Sequence, residues 1–207
     1  MKQSLFKVCG MRDEANIRDV SACGIDMMGF IFHPRSPRFV TEVPTFLPPS
    51  PIARIGVFVE PQPEEVESRV KQFALNGVQL HGNVTPELCR ELQRQGLLVL
   101  KAVAVTPNFT EETECFRDCA DFFIFDTPTP SYGGSGVTYD WTLLQSYNGD
   151  VPFLLSGGLR PALLPALLRF HHPRLAGYDL NSGFETAPAI KDADAIRSFV
   201  TEMKVAN

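Results

Sequence analysis

The sequence predicts an α/β fold, a single (β/α)8 barrel domain spanning residues 1–207, and three observations carry that prediction. Eight short apolar, β-branched or aromatic runs succeed one another along the chain. Most are continuous rather than alternating, the pattern of strands covered on both faces in a parallel sheet. Segments with helical periodicity or helix-start signals lie between them. An open doubly wound sheet is the alternative, but the fingerprint GxGxxG expected after an early strand in a dinucleotide-binding context is absent. The length is at the short end for a barrel, so most connections must be minimal.

The first run, Leu5–Cys9, ends at Gly10 and precedes a helix opening at Asp13-Glu14-Ala15-Asn16, where early acids complement the helix dipole. The second, Met28–Phe32, leads into Val43–Pro51, whose four prolines predict a short or distorted helix. Ile55–Val59 precedes Pro63–Leu75, which sets Val66, Val70, Phe73 and Ala74 on one helical face. Val78–Leu80 precedes Thr85-Pro86-Glu87, a cap with proline in the first turn. Val99–Val105 and Phe122–Phe125 come next; between them Cys115 and Cys119 stand at helical i,i+4 spacing. With no third ligand nearby they read as packing residues rather than metal ligands.

A Gly-rich polar segment, Thr127–Trp141, follows Asp126. At its end Asp140 is a candidate N-cap and Trp141 an anchor for the sixth helix. Phe153–Leu155 leads to a proline-started helix at Pro161–Phe170, with His171-His172 placing charge near its C-terminus. Ala176–Leu180 precedes the last helix, Lys191–Lys204, which carries Ala195, Ile196, Phe199, Val200 and Met203.

The chain is 44% hydrophobic and 21% charged, with a net charge of −5. A mildly acidic chain without a Lys/Arg cluster argues against nucleic acid and anionic membrane as main partners. It leaves an anionic small substrate open, because local donors bind phosphate whatever the global sign. No apolar stretch approaches the roughly 20 residues of a membrane span, and Met1–Gly10 lacks a signal-peptide core. Five cysteines, an odd number without paired spacing, suggest a reducing, cytoplasmic setting.

Barrel enzymes build their sites at the carboxyl ends of the strands. The positions after the eight runs are Cys9, His33 to Arg38, Glu60, His81, Thr106, Asp126, Ser156-Gly157-Gly158 and Asn181-Ser182-Gly183. Thiol, guanidinium, imidazole and carboxylate therefore meet two small-residue turns whose free N–H groups suit phosphate. The residues alone suggest a phosphorylated small-molecule substrate, an acid and a base. Each also has a plainer reading. Cys9 could be a small buried hydrophobe, Asp126 a cap for Thr127 or Thr129, and His81 a core histidine as readily as a substrate contact. Gln79 shares the His81 face by strand alternation.

A resemblance then becomes specific. Lys7-Val-Cys9-Gly-Met-Arg12, Gly29-Phe-Ile-Phe32 with Ser36-Pro-Arg38, Gly56-Val-Phe58-Val59, Val78-Gln-Leu-His81-Gly82, Asp126, Tyr132-Gly-Gly-Ser-Gly136, Asp140-Trp141, Leu155-Ser-Gly-Gly-Leu159 and Asp179-Leu-Asn-Ser-Gly183-Phe-Glu185 run in order along the chain. Together they resemble the phosphoribosylanthranilate isomerase family of tryptophan biosynthesis. The resemblance implies an Amadori rearrangement that needs no metal and no redox cofactor. It gives Asp126 as general acid, Cys9 as general base and Arg38 as partner of the anthranilate carboxylate. It sets Gln79, His81, Gly134, Gly136, Gly157, Gly158, Asn181, Ser182 and Gly183 around the substrate. The Gly133–Gly136 loop becomes a candidate lid, Arg12, Arg35 and Lys101 remain further candidate contacts, and a homodimer is a possible assembly. A metal-dependent sugar-phosphate epimerase and a non-catalytic phosphate-binding barrel are the other classes; for the first, only His33, His81 and Asp126 stand near strand ends as ligands.

The chemistry sets a demand. An ordinary aspartate is protonated about once in a thousand at pH 7, a cost of roughly 4 kcal/mol for an acid role. An ordinary cysteine is about 3% thiolate, a cost of roughly 2 kcal/mol. Asp126 carries the larger mismatch.

Overall fold

The computed structural model describes residues 4–127 and 140–206. Eight parallel strands close into a barrel: β1 (Leu5–Cys9), β2 (Met27–Ile31), β3 (Ala53–Val59), β4 (Gly77–His81), β5 (Leu98–Ala104), β6 (Phe122–Asp126), β7 (Phe153–Leu155) and β8 (Leu175–Leu180). They pair in chain order, and β8 pairs back onto β1 with Lys7 opposite Asp179. Each strand lies within two residues of its predicted run. A continuous apolar run is a sharp signal when both faces of the strand are covered.

Helix α1 (Glu14–Ser21) starts at Asp13, whose carboxylate accepts the Asn16 N–H at 2.8 Å. Helices α2 (Pro63–Phe73) and α3 (Pro86–Arg94) both open on proline, and the Thr85 hydroxyl caps Leu88 N–H at 3.3 Å. Helix α4 (Phe109–Cys115) ends at exposed Cys115, while Cys119 is buried beyond it, so the two thiols do not share a helical face. Among the described residues no three His, Cys, Asp or Glu groups gather to hold a metal ion, and no helix is long and apolar enough to cross a membrane.

Several connections differ from expectation. No helix lies between β2 and β3, where four prolines without N–H groups cannot continue a ladder; Phe46 and Leu47 pack on the core instead. Asp140 does cap Thr142 N–H at 2.9 Å, but the element it opens is a 3-10 turn, Trp141–Ser146. Trp141 anchors that turn against Phe170, with ring centroids 6.4 Å apart. The Pro161–Phe170 helix reduces to a 3-10 turn and a single α-turn, α5 (Leu164–Leu167), because Pro165 interrupts it. His172 is not a charged cap. It stacks on Tyr147 and accepts the Arg174 N–H on Nδ1, and burial lowers its pKa. Lys191 precedes the last helix, α6 (Ala193–Ala206), and lies in an unforeseen hairpin, β9 (Glu185–Ala187) and β10 (Ile190–Lys191).

Strand alternation sorts the side chains. Outward residues such as Phe6, Phe30, Phe58, Phe123, Phe125, Phe153 and Tyr178 make the main core under the helices. Inward Met27, Ile55, Leu100, Ala102, Ile124 and Leu154 fill the lower barrel, and Cys9, Ile31 and Val57 close the layer above. Polar side chains at inward positions nearer the carboxyl ends therefore face one another over an apolar floor.

Candidate active site

A solvent-open cavity of about 660 Å³ occupies the carboxyl end of the barrel. Cys9, Gln79, His81, Asp126, Gly157, Gly158, Asn181, Ser182 and Gly183 all line it, with His33, Ser156, Leu159 and Asp179. Gly134 and Gly136, and the candidate lid Gly133–Gly136, lie outside the described residues.

Cys9 is the last residue of β1, opposite Gly29 on β2. A Cβ on Gly29 would stand 2.8 Å from the Cys9 sulfur, so glycine there makes room for the thiol. The Gly29 carbonyl accepts from Gly10 and Met11 N–H at 2.9 and 3.0 Å, and Gly10 turns the chain at φ +80°. Two residues earlier on the same inward face, Lys7 is fully buried. Its Nζ donates to both Asp179 oxygens, at 2.9 and 3.0 Å.

Burial works against the Lys7 charge, but Asp179 and Cys9 outweigh it and raise the Lys7 pKa. Burial also raises Asp179 against the pull of Lys7, which points the other way. One ammonium bridging two carboxylate oxygens at these distances is an ion pair, so Lys7 is cationic and Asp179 ionised at neutral pH. Burial pushes the Cys9 thiol up, Lys7 opposes that, Asp179 adds to it and Lys191 opposes it. The net direction is upward.

Asp126 ends β6 and accepts Thr127 N–H at 2.8 Å, so it does cap Thr127. Burial raises its pKa to about 6; the Thr127 hydrogen bond works against this, Asp179 adds to it and Lys7 opposes it. Phe123 and Phe125 point outward into the core, so the desolvation comes from the barrel interior. At pH 7 such a carboxyl is protonated about one time in ten, and the cost of the acid form falls to roughly 1.4 kcal/mol.

The Gln79 amide nitrogen lies 2.6 Å from His81 Nε2, and Gln79 Oε1 is buried without a partner among the described residues. Burial, then the charges of Lys101, Lys7 and His33, lower the His81 pKa to about 3. A neutral His81 accepting from Gln79 carries its proton on Nδ1. Gly157 and Gly158 have φ of 85° and 65°, consecutive left-handed residues whose N–H groups have no hydrogen-bond partner among the described residues. A Cβ on Gly183 would stand 2.0 Å from the Leu159 carbonyl, so the turns after β7 and β8 touch. With α5 only one turn long, the donors left open at this rim are these turn amides rather than a helix dipole.

Arg38 does not line the cavity wall. Its Nε and Nη2 donate to Glu185 Oε1 and Oε2 at 2.8 and 2.6 Å, and the pair is buried. Arg12 donates to the Pro37 carbonyl at 3.2 Å and Arg35 is exposed. Lys101 points outward, 2.7 Å from Glu112. The residues that sequence reasoning missed are Lys7, Asp179, Glu185 and Lys191. Lys7 and Asp179 were detectable as charges at inward positions of apolar strands, which demand a partner.

The family model for N-(5'-phosphoribosyl)anthranilate isomerase matches residues 6–202. The N-(5'-phosphoribosyl)anthranilate isomerase of Phocaeicola vulgatus is 48% identical over 201 residues, covering 97% of this chain and 98% of that protein. The crystal structure of phosphoribosyl anthranilate isomerase from Thermotoga maritima superposes with a TM-score of 0.82 at 34% identity, covering 98% and 99% of the two chains. A phosphoribosyl anthranilate isomerase in complex with reduced 1-(o-carboxyphenylamino)-1-deoxyribulose 5-phosphate gives a TM-score of 0.79 at 30% identity, with coverages of 98% and 99%. The chain belongs to the N-(5'-phosphoribosyl)anthranilate isomerase family.

Proposed function

We propose that this protein is a phosphoribosylanthranilate isomerase of tryptophan biosynthesis, with Asp126 as general acid and Cys9 as general base. It converts N-(5-phosphoribosyl)anthranilate to 1-(2-carboxyphenylamino)-1-deoxyribulose 5-phosphate. The observation that carries this assignment is that one cavity joins Cys9, Asp126 and the two glycine turns, with the Asp126 pKa raised to about 6.

Asp126 gives its proton to the furanose ring oxygen; the bond from C1 to that oxygen breaks and the nitrogen lone pair forms an iminium. The Cys9 thiolate takes the C2 proton, and the C2–H electrons form a C1–C2 double bond that neutralises the iminium. The resulting enolamine loses its C2 hydroxyl proton and gains a proton at C1, giving the ketone with no net change in protons. The buried thiol is poorly ionised in the free protein. The iminium supplies a positive charge beside it, so ring opening prepares the second step electrostatically. The N–H groups of Gly157 and Gly158, with the turn at Ser182-Gly183, hold the phosphate. Gln79 Oε1, buried and unpartnered among the described residues, accepts a hydrogen bond from a sugar hydroxyl. Arg38 faces the anthranilate carboxylate. The five cysteines, all free, suit the reducing cytoplasm.

The test is turnover of N-(5-phosphoribosyl)anthranilate, followed by loss of anthranilate-type fluorescence, in wild type, Cys9→Ala and Asp126→Asn. Each substitution is expected to cost about two to four decades in kcat. Near-normal turnover in either variant removes that residue from its role.

A further inference from the structure

Arg38 presents a guanidinium with two bidentate edges, one formed by Nε and Nη2, the other by Nη1 and Nη2. The first edge is fully taken by Glu185, at 2.8 and 2.6 Å. Nη1 makes no hydrogen bond to a described residue. Glu185 is itself held by Lys191 Nζ at 2.5 Å and by Ala189 N–H at 3.0 Å. Lys191 also donates to Asn181 Oδ1 at 2.9 Å, and Asn181 lines the cavity. Asn16 of α1 clamps the Lys191 backbone through reciprocal 2.8 Å hydrogen bonds. The Arg38 stem and Asn181 both pack against Gly10, where a Cβ would meet Arg38 Cδ at 2.6 Å and Asn181 Oδ1 at 3.1 Å.

Two cations share one carboxylate in this cluster. That leaves one unit of positive charge buried beside the cavity, where an incoming carboxylate would neutralise it.

We infer that Glu185, braced by Lys191, is a positioning residue: it fixes Arg38 by one edge so that the Nη1/Nη2 edge is aimed as a preformed receptor for the substrate's aromatic carboxylate. This inference rests on the proposed role of Arg38. Selectivity for a carboxylated aniline then belongs to the β9–β10 hairpin as much as to Arg38. Removing the Glu185 charge frees the guanidinium to swing, and only ligands with the carboxylate register the loss.

The experiment uses the full-length protein and two probes, reduced 1-(o-carboxyphenylamino)-1-deoxyribulose 5-phosphate and its analogue lacking the carboxyl group, with Kd measured calorimetrically. Arg38→Met is expected to weaken the carboxylated probe about ten- to hundredfold and the analogue less than about threefold. Glu185→Gln is expected to reproduce that selectivity at about tenfold, and to add little in the double variant Arg38→Met/Glu185→Gln. Binding of the analogue is the internal control for folding. A selective Arg38→Met beside a Glu185→Gln that is silent, or weakens both probes equally, overturns this inference alone. A non-selective Arg38→Met overturns the Arg38 assignment and the inference together.

Discussion

Lys7 and Asp179 stand directly opposite each other on β1 and β8, joined by hydrogen bonds of 2.9 and 3.0 Å across the seam that closes the barrel. Both are buried, so neither charge is stable there without the other. The same ammonium lies close enough to the Cys9 thiol to stabilise its ionised form.

Lys7→Met should therefore destabilise the fold by about 3–5 kcal/mol, the usual cost of orphaning one member of a buried pair. Adding Asp179→Asn should recover a large part of that loss. Because the Lys7 pKa is raised, the pair's contribution is full below pH 10.5 and fades only as pH climbs through the folded value, so the penalty should be the same at pH 7 and pH 9. Urea denaturation of the two single variants and the double variant tests this. Strictly additive losses would mean that the charges do not depend on each other.

Asp126 titrates high in the folded state, from an ordinary 3.8 to about 6. Between those values the folded protein binds more protons than the unfolded chain, so stability falls as pH rises across that window. Asp126→Asn should consequently stabilise the protein by about 2–3 kcal/mol at pH 7 and leave it unchanged near pH 3.5. Carboxyl-carbon NMR should place the wild-type titration near 6. An equal effect of the substitution at both pH values would refute the linkage.

The pH dependence of turnover follows from the same two groups. In the proposed mechanism the active form has Asp126 protonated and Cys9 ionised, the reverse of the order in which the two groups titrate. The raised Asp126 pKa favours its acid form, while the raised Cys9 pKa opposes the thiolate. The product of the two fractions rises up to about pH 6, stays level, and falls above the thiol pKa, which burial holds above 9.0. A profile of kcat/KM that falls between pH 6 and 8, with chemistry limiting, would contradict this pairing. Alkylation of the Cys9 thiol by iodoacetamide should show its midpoint above 9.0 in wild type and higher still in Lys7→Met.

Gly29→Ala tests how tightly the thiol is placed. The new methyl would meet the Cys9 sulfur at 2.8 Å and its Cα at 3.1 Å, so the sulfur must move. A displacement of about 1 Å should lower kcat about a hundredfold, while overpacking costs about 1–3 kcal/mol of stability. Wild-type kcat in a folded Gly29→Ala variant would show that thiol position is not critical.

Much of the barrel is legible in local sequence. Phe122–Phe125 and Phe153–Leu155 are recognisable because strands covered on both faces leave continuous apolar runs. Cys9 and Asp126 stand out because each ends such a run, and a barrel brings all strand ends to one rim. The helices are less legible. Pro165 cuts the predicted Pro161–Phe170 helix to one turn, and the prolines after β2 abolish a helix, since a missing N–H outweighs apolar spacing.

The sequence by itself determined the eight strands, their common rim and the candidate acid and base, because these depend on local runs and their ends. Only the tertiary structure decided how the charges are paired. Lys7 meets Asp179 across 172 residues, and Arg38 meets Glu185 across 147. Closure of the ring and an added hairpin create both contacts, and no local pattern encodes which distant partner a buried charge will find. Burial in that closed ring also raises Asp126 to about 6, because desolvation belongs to the assembled interior rather than to the residues on either side of it.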